Sequence, residues 1–210
     1  SDVPDSVQSV IAARLDLLAD GLRTGDTDWG RLTLTGNGDL QTQAVALQLT
    51  GELLEAELGL AGRLERGDGG WQWQGRLEEA LLAAAEQRWR LQAPATLEHL
   101  ADGRLLLGPQ CWRSSNASLC GEGEQRLLPE PSLRYRLRDF DLTTLARWLP
   151  ADFAWQGELN GDVELDLPEA GPQGRVRLDA GRGSLRVRES GEWLDFPYQA
   201  LFLDGRLQPE

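Results

Sequence analysis

The chain has 210 residues with 21 basic and 34 acidic side chains, which gives a formal net charge of −13, and every basic residue is arginine. A chain this acidic is repelled by phosphate backbones and anionic membrane surfaces, which argues against nucleic-acid binding and against recognition of lipid headgroups by a basic patch. No stretch is apolar for long enough to form a membrane-spanning helix and no signal peptide is present, so any targeting segment is expected elsewhere in a longer protein.

Apolar and polar residues alternate along most of the chain, starting after a short N-terminal helix predicted for residues 5–11 from the spacing of Val7, Val10 and Ile11. Alternation with a period of two predicts strands that have one apolar and one polar face. In the first half of the chain the apolar positions are Leu32, Leu34, Val45, Leu47, Leu49, Leu58, Leu60, Trp71 and Trp73.

Residues 78–87 give conflicting signals. Their sequence, Glu-Glu-Ala-Leu-Leu-Ala-Ala-Ala-Glu-Gln, has high helix propensity, but strand-like alternation lies on both sides, at Trp71/Trp73 and at Trp89/Leu91. Because a neighbouring sheet can override local propensity, we predict a strand here.

The two cysteines, Cys111 and Cys120, lie nine positions apart around the polar pair Ser115–Asn116. If that pair forms a two-residue hairpin loop, the cysteines face each other at a non-hydrogen-bonded position, where a cross-strand disulfide fits. Asn116 tolerates a positive φ in such a turn. Free thiols and a metal site remain as alternatives, although a metal site needs three or four ligands and His99 is distant in the sequence.

The C-terminal third contains the longest alternation, from Phe153 to Leu167, with Gly157 and Gly161 on the apolar side where the sheet can bend. Before it, residues 141–150 predict a helix that Asp141 caps and Pro150 ends, with Leu142, Leu145, Ala146 and Leu149 on one face. Arginines at 134, 136, 138, 175, 177 and 186 occupy the polar side. The apolar positions include Leu133, Leu137, Leu159, Val163, Leu165, Leu167, Val176, Leu178, Leu201 and Leu203.

These patterns predict a single all-β unit over residues 1–210, with roughly a dozen mostly antiparallel strands at hairpin spacing. The apolar face of such a sheet must be covered by a second sheet, by curling of the sheet onto itself, or by an apolar ligand. Pattern alone favours a closed sandwich or barrel. The scarcity of helix and a face made mostly of leucine favour a curled sheet with an open groove.

No motif for enzymatic chemistry is present: the chain lacks G-x-S-x-G, H-E-x-x-H and G-x-x-x-x-G-K sequences, and Asp26-Thr-Asp28 begins like a calcium loop whose later positions do not fit. We therefore expect no enzyme activity, no cofactor and no metal. His99 is expected to be a surface or hydrogen-bonded side chain at a strand end. The eight tryptophans are consistent with a carbohydrate-binding surface, but lining of the apolar face is the simpler interpretation.

Several segments resemble the TamB family, the translocation and assembly module proteins of diderm bacteria, which are similar to AsmA-like and bridge-like lipid transfer proteins. They occur in the expected order and span most of the chain, although none is a catalytic signature. These segments are WQWQGRL at 71–77, WRLQAP at 89–94, the C-W…S-L-C hairpin at 111–120, RDFDLTTLARWLP at 138–150, GELNG at 157–161 and GEWLDFPY at 191–198.

The resemblance implies a long curled sheet, called a β-taco, whose hydrophobic groove holds phospholipid acyl chains. It also implies a periplasmic segment of a protein that is anchored in the inner membrane and partners a TamA-like outer-membrane barrel protein. The family brings no catalytic residues, only paired cysteines (Cys111 and Cys120) and apolar groove positions. In this chain the expected groove positions are Leu32, Leu34, Val45, Leu47, Leu49, Leu58, Leu60, Leu133, Leu137, Leu159, Val163, Leu165, Leu167, Val176, Leu178, Leu201 and Leu203.

Three functions follow as hypotheses. The first is a groove that conducts phospholipid and supports outer-membrane biogenesis. The second is a scaffold or chaperone that offers strand edges to outer-membrane barrel proteins by strand augmentation. The third, a glycan-binding domain, depends only on the tryptophan count. The first requires a continuous apolar groove that the protein's own residues do not fill.

Overall fold

The computed structural model describes residues 12–25, 27–67, 69–84 and 87–208. In this part of the chain seventeen strands form one antiparallel sheet with one short helix, which confirms the all-β prediction. The strands are β1 Ala13–Thr24, β2 Thr27–Gly38, β3 Gln43–Thr50, β4 Glu55–Gly67, β5 Gly70–Ala84, β6 Gln87–Leu91, β7 Ala95–His99, β8 Leu105–Leu107, β9 Gln110–Ser114, β10 Ala117–Gly121, β11 Gln125–Leu128, β12 Ser132–Asp141, β13 Phe153–Asp166, β14 Gln173–Asp179, β15 Gly183–Glu189, β16 Glu192–Tyr198 and β17 Phe202–Leu207.

The strands stack as successive rows in nearly the order of the chain. Seven rows contain one strand, and five contain two short strands placed end to end: β6 with β7, β8 with β9, β10 with β11, β14 with β15, and β16 with β17. The seventeen strands therefore make twelve rows. At about 4.8 Å between neighbouring rows, the sheet extends roughly 53 Å along its stacking direction.

The three divided rows in the middle of the sheet break close to one another. Gln92 donates its backbone N–H to Cys111 O, and Gly108 donates to Thr96 O, so backbone groups beside the breaks keep partners in the next row. At the third break the side chain of Gln125 replaces a strand residue: its amide donates to Arg134 O and accepts from Arg134 N. The strands thus break here without leaving these polar groups unpaired.

The helix predicted for residues 141–150 is present, but it is a 3₁₀ helix over Leu142–Trp148. Asp141 caps it, as predicted, by accepting from Thr143 N at 2.8 Å. The predicted buried face is only partly correct. Leu142 is fully buried, whereas Ala146 is exposed, because a 3₁₀ helix has three residues per turn and does not align positions as an α-helix does.

Three other local predictions have separate outcomes. Residues 78–84 belong to β5, as predicted, and Gln87 begins β6. The N-terminal helix predicted for residues 5–11 lies outside the described residues. His99 is exposed at the end of β7.

The strand register sorts the side chains into an apolar face and a polar face, and we use these two terms throughout. On one side of the sheet Leu34, Leu47, Leu58 and Ala80 are successive cross-strand partners. Towards the other end, Leu137, Gly161, Leu178 and Leu203 continue the same face. Since side chains alternate along each strand, the intervening residues form the polar face.

Candidate functional site

The apolar face is the candidate site, and all seventeen positions predicted from the sequence follow its alternation. Fifteen lie in strands. The other two continue the neighbouring strand pairing: Leu167 directly follows β13 and donates its N–H to Pro131 O, and Leu201 precedes β17 and accepts from Ala180 N. The alternation therefore places these residues correctly along the sheet.

None of the seventeen predicted side chains is buried. Fourteen are partly exposed, and Leu167, Leu201 and Leu203 are exposed, Leu203 by 57%. Core leucines in globular proteins are usually covered by their neighbours. The two ends of the sheet therefore present apolar side chains that the described part of the chain covers only in part.

The middle of the apolar face is different, because the sheet's own side chains fill it. Leu77, Ala80, Leu91 and Trp112 form a buried cluster, against which Leu58, Leu60, Leu82, Trp89 and Leu119 pack. We call this region the central block. Its other buried members, assigned to this face by the register, are Ala95, Leu107, Gln110, Ser114, Ala117 and Gln125. The continuous open groove expected from the sequence is therefore wrong for these rows, which separate two partly exposed stretches.

An aromatic pair crosses the central block. The rings of Trp89 on β6 and Phe140 on β12 stack with centroids 6.4 Å apart and planes within 6°. Two rows, containing β9 and β10, lie between their strands. The residues facing this gap, Ser114 and Ala117, are small and buried, so the two rings meet above them.

A bulge in β12 orients Phe140. Between Leu137 and Phe140 the register shifts, and Asp139 takes a left-handed φ of 54°. As a result Phe140, rather than Asp139, pairs with Leu159 and shares the apolar face with it. Sequence reasoning missed this contact because the bulge reverses the alternation at the residue that matters.

One polar pair lies within the central block. Gln110 reaches over Gly121 and donates its amide N–H to the hydroxyl of Tyr135 at 2.8 Å. A Cβ at residue 121 would come within 2.6 Å of this amide, so the crossing requires glycine there. Burial raises the pKa of Tyr135, and the hydrogen bond from Gln110 partly opposes that shift.

Four of the eight tryptophans agree with the lining interpretation, whereas Trp71, Trp148 and Trp193 are exposed. Trp73, Trp89, Trp112 and Trp155 all lie on the apolar face by register. The indole N–H of Trp73 donates to Gln43, and that of Trp155 to Tyr198, at 2.8 and 2.9 Å. These side chains therefore have internal partners for their polar atoms.

The polar face is crossed by ion pairs between neighbouring strands. Arg134 contacts Asp166 at 2.7 Å and Arg175 pairs with Asp204. Hydrogen bonds from Arg134 and Ser132 hold the pKa of Asp166 below its ordinary value. The remaining arginines predicted for this face, at 136, 138, 177 and 186, also pair with carboxylates, so they do not form an open cationic patch.

The two cysteines form a disulfide, with their Cα atoms 4.1 Å apart. The hairpin register is the predicted one: Ser114 pairs with Ala117, Trp112 with Leu119, and Cys111 with Cys120. The turn differs in one detail, since the residue with positive φ is Ser115, at 51°, and not Asn116. The disulfide lies on the polar face, on the side of the sheet opposite to the side chains of Trp112 and Leu119.

Three strands at the ends of the sheet have an unpaired edge. In the described residues β1 pairs only with β2, β16 only with β15, and β17 only with β14. The described residues contain no helix with the length and hydropathy of a membrane span.

A family model described as "TamB, N-terminal domain" matches residues 6–210. No solved structure matches the chain.

Proposed function

Because this chain belongs to the TamB family, we propose that it is a periplasmic, non-enzymatic segment whose apolar face holds phospholipid acyl chains on their way between the inner and outer membranes. In this role the protein supports biogenesis of the outer membrane. The family resemblance adds an inner-membrane anchor and a TamA-like outer-membrane barrel protein as partner, both contributed through the full-length protein.

The observation that carries the proposal is that none of the seventeen predicted groove positions is buried. An acyl chain laid along these leucines and valines would remove apolar surface from water on both sides. Each buried CH₂ group contributes about 0.8 kcal/mol. Within each of the two partly exposed stretches, a lining made mostly of leucine also offers nearly equivalent positions, so a chain can shift along that stretch at little cost.

Charge favours recognition of lipid tails over headgroups. The net charge is −13, and the polar-face arginines predicted from the sequence pair with carboxylates, as Arg134 does with Asp166. An anionic phosphate would therefore meet a surface whose net negative charge repels it. Headgroups in this arrangement stay in water while the tails are covered.

The disulfide supports a periplasmic location. Disulfides persist in oxidising compartments such as the bacterial periplasm and are rare in the cytosol. Cys111 is exposed, so a cytosolic reductant would have access to it.

Site-specific crosslinking tests the proposal. A photo-reactive amino acid at Leu165, Leu178 or Leu203 of the full-length protein in cells should capture phospholipid, and the same residue at exposed Gln48 on the polar face should not. Leu165→Arg should block lipid traffic while the protein stays folded, because Leu165 is only partly buried. Equal capture at Gln48 and Leu165, or none at the three leucines, would contradict the proposal.

The unpaired edges favour a second candidate function, which is a scaffold for outer-membrane barrel proteins. An unpaired strand can accept an added strand through main-chain hydrogen bonds, and β16 and β17 also have exposed apolar residues such as Phe196 and Phe202. Under this alternative, crosslinkers at the β17 edge would capture nascent barrel protein, and those at Leu165 would capture no lipid.

A further inference from the structure

We propose that Trp89 and Phe140 form a gate that divides the apolar face into two stretches and controls passage of acyl chains between them. The inference rests on the function proposed above and adds to it a point of control. It starts from the exposure pattern: the positions expected to hold lipid are partly exposed at both ends of the sheet, whereas the face between them is buried. A chain moving along the whole face must therefore pass or displace the central block.

The stacked rings are side chains that can be displaced while the buried cluster stays in place. Leu91 and Trp112 are buried within the cluster, whereas Trp89 packs against it and is only partly buried, as is Phe140. They touch across two intervening rows, above Ser114 and Ala117. Separating them requires side-chain movement and breaks no backbone pairing.

The surroundings hold the two sides of this gate in place. Phe140 is positioned by the Asp139 bulge, and the next residues form the capped 3₁₀ helix that begins at buried Leu142. The hairpin beneath the rings is closed by the Cys111–Cys120 disulfide. The rings are thus partly exposed side chains on a fixed frame, as a gate requires.

The gate can first be tested without lipid. Ala117 lies beneath the rings and is 4% exposed. In full-length protein carrying Ala117→Cys, labelling of the new thiol by a maleimide should be slow. Trp89→Ala should accelerate the labelling by a factor of roughly two to ten, which is the rate factor that corresponds to the free energy of one lost aromatic pair. Trp89→Phe should keep the slow rate, and so should Trp71→Ala, which removes an exposed tryptophan elsewhere. Equal labelling rates in the Trp89→Ala and Trp71→Ala proteins would overturn the gate.

The second measurement concerns lipid. Photo-reactive residues at Leu47 and Val163, on either side of the central block, should capture phospholipid unequally in otherwise unaltered full-length protein in cells. Trp89→Ala or Phe140→Ala should reduce the ratio of the larger to the smaller yield by a factor of roughly two to ten. Trp71→Ala should leave this ratio unchanged. Thermal unfolding followed by circular dichroism identifies any variant that fails to fold, in which case Trp89→Leu and Phe140→Leu, which remove the ring stacking but keep an apolar side chain, replace the alanine variants.

The outcomes separate the two proposals. No capture at either position would overturn the proposed function and the gate with it. Capture at both positions, with a yield ratio that Trp89→Ala leaves unchanged, would overturn the gate alone. Equal yields before any substitution would also overturn it, since a closed gate keeps the two stretches apart.

Discussion

At the scale of single residues, Gln125 shows how one side chain can maintain a sheet across a break. It is fully buried. Its amide bonds the backbone of Arg134 on β12 and the carbonyl of Glu122 where the chain leaves β10. In the row that contains β10 and β11, the side chain of Gln125 therefore makes the hydrogen bonds to β12 that a strand backbone would otherwise make.

Replacing Gln125 by leucine should destabilise the protein strongly. Leucine fills a similar volume but leaves the N–H of Arg134 without its partner, whereas the C=O of Arg134 still accepts from the N–H of Glu122. An unsatisfied buried group costs about 1–3 kcal/mol. Urea unfolding should show a loss of about 2 kcal/mol or more. Gln48→Leu, at an exposed position on the polar face, serves as the control. Equal midpoints for the two variants would show that Gln125 is not needed for the pairing.

At the scale of elements, the β9–β10 hairpin is the local structure that the sequence specified most completely. The nine-residue spacing predicted the register and the turn position and favoured a disulfide, because pair types alternate in a fixed order along an antiparallel ladder. The 3₁₀ helix was less predictable. Its capping by Asp141 is a local property, whereas its tighter winding and the burial of Leu142 depend on the surrounding strands.

Loss of the disulfide should weaken the protein by a predictable amount. In the chain-entropy treatment, closing a loop of this length contributes about 2.7 kcal/mol. The Cys111→Ser/Cys120→Ser protein should therefore unfold at a lower denaturant concentration than the oxidised protein, with its β-sheet signal retained in native buffer.

Treatment with a reductant provides the control for this prediction. It should lower the stability of the unaltered protein to the level of the double serine variant and leave that variant unchanged. Mass spectrometry of unreduced protein should find the two cysteines linked. Two free thiols after expression in the periplasm would contradict the assignment.

At the scale of the whole molecule, the sequence predicted which side chains share a face but not how that face is covered. Alternation is a local property of each strand, so Leu34 and Leu165 could be placed correctly. Coverage depends on how twelve rows curl, and on bulges such as the one at Asp139 that bring Phe140 to Trp89. Those features arise from contacts between distant strands, which leave no periodic signal.

The division of the apolar face into open and filled parts predicts unequal effects for the same substitution. Leu91 belongs to the buried cluster, and its replacement by alanine should cost about 2–5 kcal/mol because a cavity remains. Leu165 lies on the same face but is partly exposed. Its replacement should cost only about 1 kcal/mol, since less apolar surface returns to water.

Chemical denaturation of the two variants under identical conditions measures this difference directly. Leu77→Ala, within the buried cluster, and Leu34→Ala, in the other partly exposed stretch, form a second matched pair. Both pairs should show the larger loss in the central block. A loss for Leu165→Ala as large as that for Leu91→Ala would mean that the ends of the sheet are also a closed core, and an acyl chain would then have no uncovered leucines to bind.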